Sequence, residues 1–393
     1  MQKTFRSYLG PILIMLLAAF LVFNVILTVQ CIISFYTPLP IRDYWRVVQN
    51  LQDYRAFHLS VLWKQHNEHR IIFPEIIFAA DMLLCRGRML LPIVLSFICY
   101  AATWLLLSST VLSDHELSST HRVTAVLISG ILALFETSTL VLAVPFLLQW
   151  TLMQLAVACS FVCLSRIHDR QFAIFVCGTI IAATVATYSC GNGLALWPLL
   201  MLLATLLRMS RLGLFTLGAF AIVSLILYFI GYQPTSKLNL SNFIAHPIYS
   251  FGFIASYLSM PFGGMKAPLF GVTVGTINLL LAVVFFVLAW RTRLIVYRPA
   301  IVLFSFYVFT LFAAVMTASG RMDPAESSFL AAKAVRYISV PQMNWAALIL
   351  IVLWLSAKSR QHRILFPAFS FLFVIGSCIA FVKLDRWLAS NAQ

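Results

Sequence analysis

Charge is the scarce commodity in this 393-residue chain: only 10% of its residues are Asp, Glu, Lys or Arg, and only twelve are acids. A soluble domain carries about a quarter charged residues, so a water-soluble fold is excluded at once. No Gly-rich phosphate loop occurs, so neither a nucleotide nor a nucleotide-sugar site is indicated. The eight cysteines form no CxxC pair and lie mostly inside apolar runs, which marks them as small core residues rather than a disulfide set or metal cage. Cys159 and Cys163, four residues apart, have no third ligand nearby.

Hydrophobic residues make up 62% of the chain, and its mean hydropathy is +0.95. Apolar runs of about 20 residues, each long enough to cross about 30 Å of hydrocarbon, recur from end to end. The expectation is an all-α polytopic membrane protein, one integral membrane domain over residues 1–393, with about eleven transmembrane helices. The spans are expected near 8–36, 89–111, 123–137, 149–165, 172–188, 194–207, 214–231, 272–290, 299–317, 342–357 and 364–382. The first is too long for a signal peptide and lacks a small-residue cleavage site, so it is kept as a helix.

With the N-terminus cytoplasmic, the short inner segments hold 13 of the 27 Lys and Arg and only three acids, Asp114, Glu116 and Asp169. That distribution follows the positive-inside rule. The remaining basic residues concentrate in two outer segments, seven in 37–88 and three in 318–341. The net charge of +15 suits anionic lipid headgroups, and no nucleic-acid partner is expected. Arginines gathered beside carboxylates on one side also suit a bound phosphate.

The first outer segment, 37–88, carries five of the twelve acids: Asp43, Asp53, Glu68, Glu75 and Asp81. After the Thr37-Pro38-Leu39-Pro40 turn, the pattern Tyr44, Trp45, Val47, Val48, Leu51 fits a short interfacial helix, with Asp43 and Arg46 placed to pair. A second helix is expected from Leu59 to Leu84, which would put His66, His69 and Arg70 on one face and Glu68 at its edge. The acid–base carboxylate is expected at Asp43, with Glu68 beside it. His66, Asn67 and His69 would bind substrate, and Arg70 would act as an anion fork. The His-x-x-His pair with a nearby Glu could also hold a divalent cation, although it lacks the His-Glu-x-x-His order of zinc enzymes.

Three later segments add to this. Gly191-Asn192-Gly193 breaks a helix at the outer surface, either as an ordinary turn or to let a ligand approach bare backbone at Asn192. The segment 232–273 is rich in aromatics, suited to membrane anchoring or to a groove for an isoprenoid tail. The loop 318–341 supplies Arg321, Lys333, Arg336 and Tyr337, the last three at i, i+3, i+4 if helical. These donors would stabilise a departing phosphate, or Arg321 and Arg336 would pair internally with Asp323 and Glu326.

The run Trp63-x-x-His66-Asn67-Glu68-His69-Arg70-x-x-x-Pro74 after an acid near the first span resembles bacterial multi-span proteins of the glycosyltransferase C superfamily. Ser189-Cys190-Gly191-Asn192-Gly193-Leu194 with Trp197-Pro198, and Ala318-Ser319-Gly320-Arg321 followed by Arg336-Tyr337, extend the resemblance over nearly the whole chain. The resemblance implies a polyprenyl-phosphate-linked sugar donor (undecaprenyl in bacteria), a loop carboxylate as base, and transfer to an envelope glycan or lipid acceptor. It also implies a bacterial inner-membrane location with chemistry on the periplasmic face. The paired acids common in that superfamily's first loop are reduced here to one, since Arg42 precedes Asp43. A transporter or flippase of lipid-linked saccharide, or an O-antigen polymerase or ligase, are the alternatives. The enzyme reading requires Asp43, Arg70 and Arg336 to share one cavity.

Overall fold

The computed structural model describes residues 2–135, 137, 139–168, 171–234, 240–262, 268–323 and 329–358, and all its regular elements are helical. In chain order the α-helices begin with α1 Gln2–Phe35, α2 Tyr44–Gln49, α3 Leu51–Arg55, α4 Ser60–Trp63, α5 Ile72–Leu84, α6 Leu90–Leu112, α7 Ser119–Ala133 and α8 Thr139–Ala143. They continue with α9 Leu148–Leu164, α10 Phe172–Thr187, α11 Leu196–Leu206, α12 Arg211–Phe229, α13 Leu240–Ala245 and α14 Pro247–Leu258. The last three are α15 Pro268–Arg291, α16 Arg298–Arg321 and α17 Ser339–Lys358. Among the described residues, seven helical stretches are long and apolar enough to cross a membrane, and two shorter apolar ones, Phe172–Thr187 and Gly191–Leu206, accompany them. Helices occupy ten of the eleven positions expected for spans; the last, 364–382, lies outside the described residues, as do Glu326 and Asp169.

The boundaries follow from local chemistry. Pro38 and Pro40 end α1, and Pro145 opens a 3-10 turn that separates α8 from α9 inside an otherwise continuous apolar run. The Ser118 and Ser210 hydroxyls cap α7 and α12 by accepting from the amides of His121 and Gly213. Helix α6 is capped from a distance: Met89 has φ 61°, and the Asp81 carboxylate accepts from the amides of Met89 (2.8 Å) and Leu91 (3.2 Å).

Contacts between loops divide the bundle into two ends. At one end, Glu68 meets Arg321, His69 meets Gly191, and Arg70 meets the carbonyls of Tyr228 and Ile230. At the other, Lys358 pairs with Asp114 (3.1 Å) and with Glu116, lies 4.7 Å above the Tyr297 ring, and His168 meets the Leu207 carbonyl. This grouping matches the alternation expected from the short loops. Helix α17 fills the centre, with every residue of its spanning window buried, whereas α1 is mostly exposed along its length.

The first outer segment departs from expectation in one important respect. No helix runs from Leu59 to Leu84: α4 ends at Trp63, and residues 66–69 form a tight two-residue turn. His66 and His69 exchange both backbone hydrogen bonds, at 2.8 and 2.9 Å, with Asn67 at φ 49°. Asn tolerates that left-handed conformation, which a helix would forbid. The loop Leu330–Tyr337 is likewise not one helical turn but two 3-10 turns separated by an extended Ala334. The aromatic segment is folded rather than loose. Phe253 and Tyr257 of α14 are buried, and α14 packs so closely on α15 that a Cβ on Gly275 would stand 1.9 Å from the Ala255 carbonyl oxygen.

Candidate functional site

The turn at 66–69 is held by Arg70, expected to bind an anion, and by Gln65. Arg70 is buried, stacks 5.1 Å over the Trp63 ring, and donates from Nε to the Tyr228 carbonyl at 2.6 Å. Its Nη1 donates to the Trp63 carbonyl and its Nη2 to the Ile230 carbonyl. Arg70 is therefore not an anion fork. All three guanidinium nitrogens serve backbone carbonyls, two of them at the C-terminal end of α12, where a cation is favoured. Gln65 reinforces the same junction, donating to the Gln233 carbonyl (2.8 Å) and accepting from the Gln233 amide (2.9 Å).

The acidic cluster divides by role. Glu75 is fully buried, accepts from Asn50 (3.1 Å) and Tyr54 (2.5 Å), and lies 3.6 Å from Arg46. Arg46 thus pairs with Glu75 rather than with Asp43. Asp81, also fully buried, caps α6 and accepts from Tyr44 at 3.2 Å. Burial, followed by these neighbouring carboxylates, holds the Tyr44 and Tyr54 hydroxyls well above the usual phenol range, so both stay protonated as donors. Asp53 pairs with Lys64 (2.9 Å) at the surface. Three of the five carboxylates are thereby structural, and two remain as chemical candidates.

Those two lie apart. Asp43 is exposed and stands 3.7 Å from His66 Nε2, which also lies 3.0 Å from the side-chain Nδ2 of Asn67. Burial, then the Arg46 charge, lowers the His66 pKa below its ordinary value, and its ring sits edge-on to Phe146 at 4.8 Å. Glu68 instead points to α16, where Arg321 Nη2 donates to Oε2 at 3.0 Å. Its backbone carbonyl accepts from the Tyr228 hydroxyl at 3.0 Å.

Glu68 and Arg321 both line a cavity of about 260 Å³ at this end of the bundle. His69, Asn192 and Tyr337 line it too, so five of the expected site residues share it. Aromatic walls come from Trp150, Tyr228, Phe229 and Tyr232, with Met316 and Thr317 of α16 opposite. Asp43, Arg70 and Arg336 do not line it, so the three residues expected to share one cavity do not. Arg336 is exposed, with its guanidinium 5.0 Å from the Tyr337 ring centre, close enough for its charge to act on His69. Lys333 is buried beneath the same loop. Asn192 is buried and donates to the Ala313 carbonyl at 3.4 Å, which ties the glycine-rich break to α16.

The glycines of that break are required by close approach of the chain itself. A Cβ on Gly191 would lie 2.6 Å from His69 Nδ1, and one on Gly193 would lie 2.1 Å from the Ala186 carbonyl oxygen. Bare backbone here admits the histidine turn. Burial holds the His69 pKa down to about 4; Glu68 opposes that shift, while His66, Arg321 and Arg336 reinforce it. Among the described residues no three His, Cys, Asp or Glu side chains converge as a metal cage, because His66 and His69 turn to different neighbours.

The aromatic walls were not among the residues expected at the site. Tyr228, in the last turn of α12, and Tyr232, just beyond its end, carried a signal, since paired aromatics at that depth are common both as membrane anchors and as ligand platforms. The architecture is that of an all-α, multi-pass membrane protein with an aromatic-walled cavity that holds the Glu68–Arg321 pair at one end. Comparison of the chain with protein-family models, with curated proteins and with solved structures gave no match.

Proposed function

We propose that the chain is an eleven-span bacterial inner-membrane glycosyltransferase of the glycosyltransferase C type. It would take a sugar from a polyprenyl phosphate, undecaprenyl phosphate in bacteria, and transfer it to an envelope glycan or lipid acceptor. The N-terminus is cytoplasmic in this reading and the cavity periplasmic, in accord with the basic bias of the short loops at the opposite end. The observation that carries the reading is the Glu68–Arg321 pair at 3.0 Å inside an aromatic-walled cavity where the membrane helices end.

The arrangement suits the chemistry. A donor phosphate entering the cavity competes with Glu68 for Arg321 and releases the carboxylate. Glu68 then takes the proton of the acceptor hydroxyl as that oxygen bonds the anomeric carbon, while the carbon–oxygen bond to phosphate breaks. Arg321 meets the charge that develops on the departing phosphate. The flat faces of Trp150, Tyr228 and Tyr232 suit a sugar ring, which presents C–H groups to aromatics. The requirement that Asp43, Arg70 and Arg336 share one cavity is not met; the enzyme reading is kept only with Glu68 as base in place of Asp43, which stands 3.7 Å from His66, and with Arg321 as the phosphate's cation in place of Arg70 and Arg336.

The test is an assay of purified protein against a panel of undecaprenyl-phosphate and undecaprenyl-diphosphate sugars, with and without EDTA. Transfer lost in Glu68→Gln supports the reading, and wild-type protein that turns over none of them defeats it. Use of diphosphate donors alone would point to a polymerase or ligase. One observation favours a second reading, a carrier of lipid-linked saccharide: Asp43, Arg70 and Arg336 do not share the cavity. Transbilayer movement in proteoliposomes without turnover would select it.

A further inference from the structure

His69 occupies the cavity wall in an unusual way. Its Nδ1 lies 3.0 Å from the Gly191 backbone nitrogen, and a backbone N–H can only donate. Nδ1 is therefore the acceptor and carries no proton. A neutral imidazole in that state must hold its hydrogen on Nε2. Any side chain at position 191 would collide with the ring, because an added Cβ would sit 2.6 Å from Nδ1 and 3.2 Å from the Glu68 carbonyl oxygen. Trp150 meets the ring edge-on at 6.4 Å and 82°, so the imidazole is held from a second side.

We propose that His69 is an uncharged hydrogen-bond donor of fixed tautomer, which offers Nε2–H to a phosphoryl oxygen of the lipid phosphate held in the cavity. The identity of that ligand rests on the proposed function; the tautomer does not. The charged and titratable groups around the ring are Glu68, which favours an imidazolium, and His66, Arg321 and Arg336, which oppose it together with burial. The ring is thus neutral at ordinary pH, and it cannot accept a proton at Nε2. This separates two tasks inside one cavity: Glu68 receives the proton, and His69 and Arg321 hold the anion, one without charge and one with it.

The experiment uses full-length protein in detergent with 15N-labelled histidine and long-range 15N–1H correlation at neutral pH, the His69 signals being assigned by their loss in His69→Gln. The expected pattern is that of the Nε2–H tautomer, shifted by added undecaprenyl phosphate but not by undecaprenol. An Nδ1–H tautomer, an imidazolium, or undecaprenyl phosphate binding that leaves His69 unmoved overturns the proposal. Two variants separate donor from brace. His69→Gln keeps an N–H near the Nε2 position and should retain affinity, whereas His69→Asn keeps polarity only near Nδ1 and should bind undecaprenyl phosphate about tenfold more weakly. The reverse order makes His69 a support for Gly191 and overturns the donor role. Wild-type protein that binds no undecaprenyl phosphate defeats the proposed substrate, while the tautomer in the ligand-free spectrum still decides the donor assignment.

Discussion

Breaking the Glu68–Arg321 pair gives a direct measure of how the cavity is built. The two side chains are 15% and 23% exposed and 3.0 Å apart, and they join the first outer turn to the end of α16 across 253 residues of sequence. At that distance and an effective dielectric near 20, the attraction is about 5 kcal/mol before desolvation is subtracted. Desolvation of both ions cancels much of it, so the net contribution of the pair is small. Removing one partner is another matter, because the survivor stays mostly enclosed and loses the charge that faced it. Glu68→Gln and Arg321→Gln should each lose roughly 2–3 kcal/mol, toward the low end of what a buried pair costs when broken because water still reaches both groups. The double variant should lose less than the sum of the two, with a coupling of roughly 1–3 kcal/mol. Thermal inactivation and reversible denaturation in detergent, run on wild type, both single variants and the double, complete the cycle. Additive effects, with coupling below about 0.5 kcal/mol, would mean that the two side chains do not meet and would remove the pair from the site. If the protein is the proposed transferase with Glu68 as base, transfer activity should fall in all three variants and should not return in the double.

Further outcomes follow from the same geometry. Asp81→Ala should lower stability by roughly 3 kcal/mol, measured by denaturation, because the amides of Met89 and Leu91 and the Tyr44 hydroxyl lose their acceptor. Arg70→Lys should destabilise the protein by about 2 kcal/mol, since an ammonium cannot serve three carbonyls in a fork. His69 has a depressed folded pKa of about 4 against an ordinary 6.5, so its contribution to stability is unchanged above about 6.5 and is lost as pH falls from there toward 4. A His69→Gln variant should lack that part of the acid destabilisation in a pH series. On a cysteine-free background, cysteines at the 79%-exposed Phe57 and at the exposed Thr292 should react with impermeant reagents from opposite sides of the membrane, and labelling from one side would overturn the two-ended arrangement.

Much of the fold was legible because the membrane leaves few options. A run of about 20 apolar residues in hydrocarbon must close its own hydrogen bonds, so it becomes a helix wherever its neighbours lie. The positions of the helices and the grouping of short loops into two sets therefore followed from apolar runs and from the placement of Lys and Arg. The short helix after Asp43 followed from Tyr44, Val47 and Leu51. The failures fell where two readings of one residue type were locally equal. His66, His69 and Arg70 have helical spacing, yet Asn67 takes φ 49° and the segment turns back on itself.

The five carboxylates of the first outer segment show the division most clearly. Sequence alone established that they crowd a loop between spans and that such crowding needs a physical reason. It could not tell that Glu75 and Asp81 are buried braces, because their partners Asn50, Tyr54, Tyr44 and the Met89 amide are brought to them only when α2, α3 and α5 pack together. Nor could it join Glu68 to Arg321, since that partner lies on α16 and no local pattern links residues so distant. Apolar length determines that the chain forms helices that cross a membrane; which charges meet at their ends depends on how those helices pack, and only the folded structure decides that.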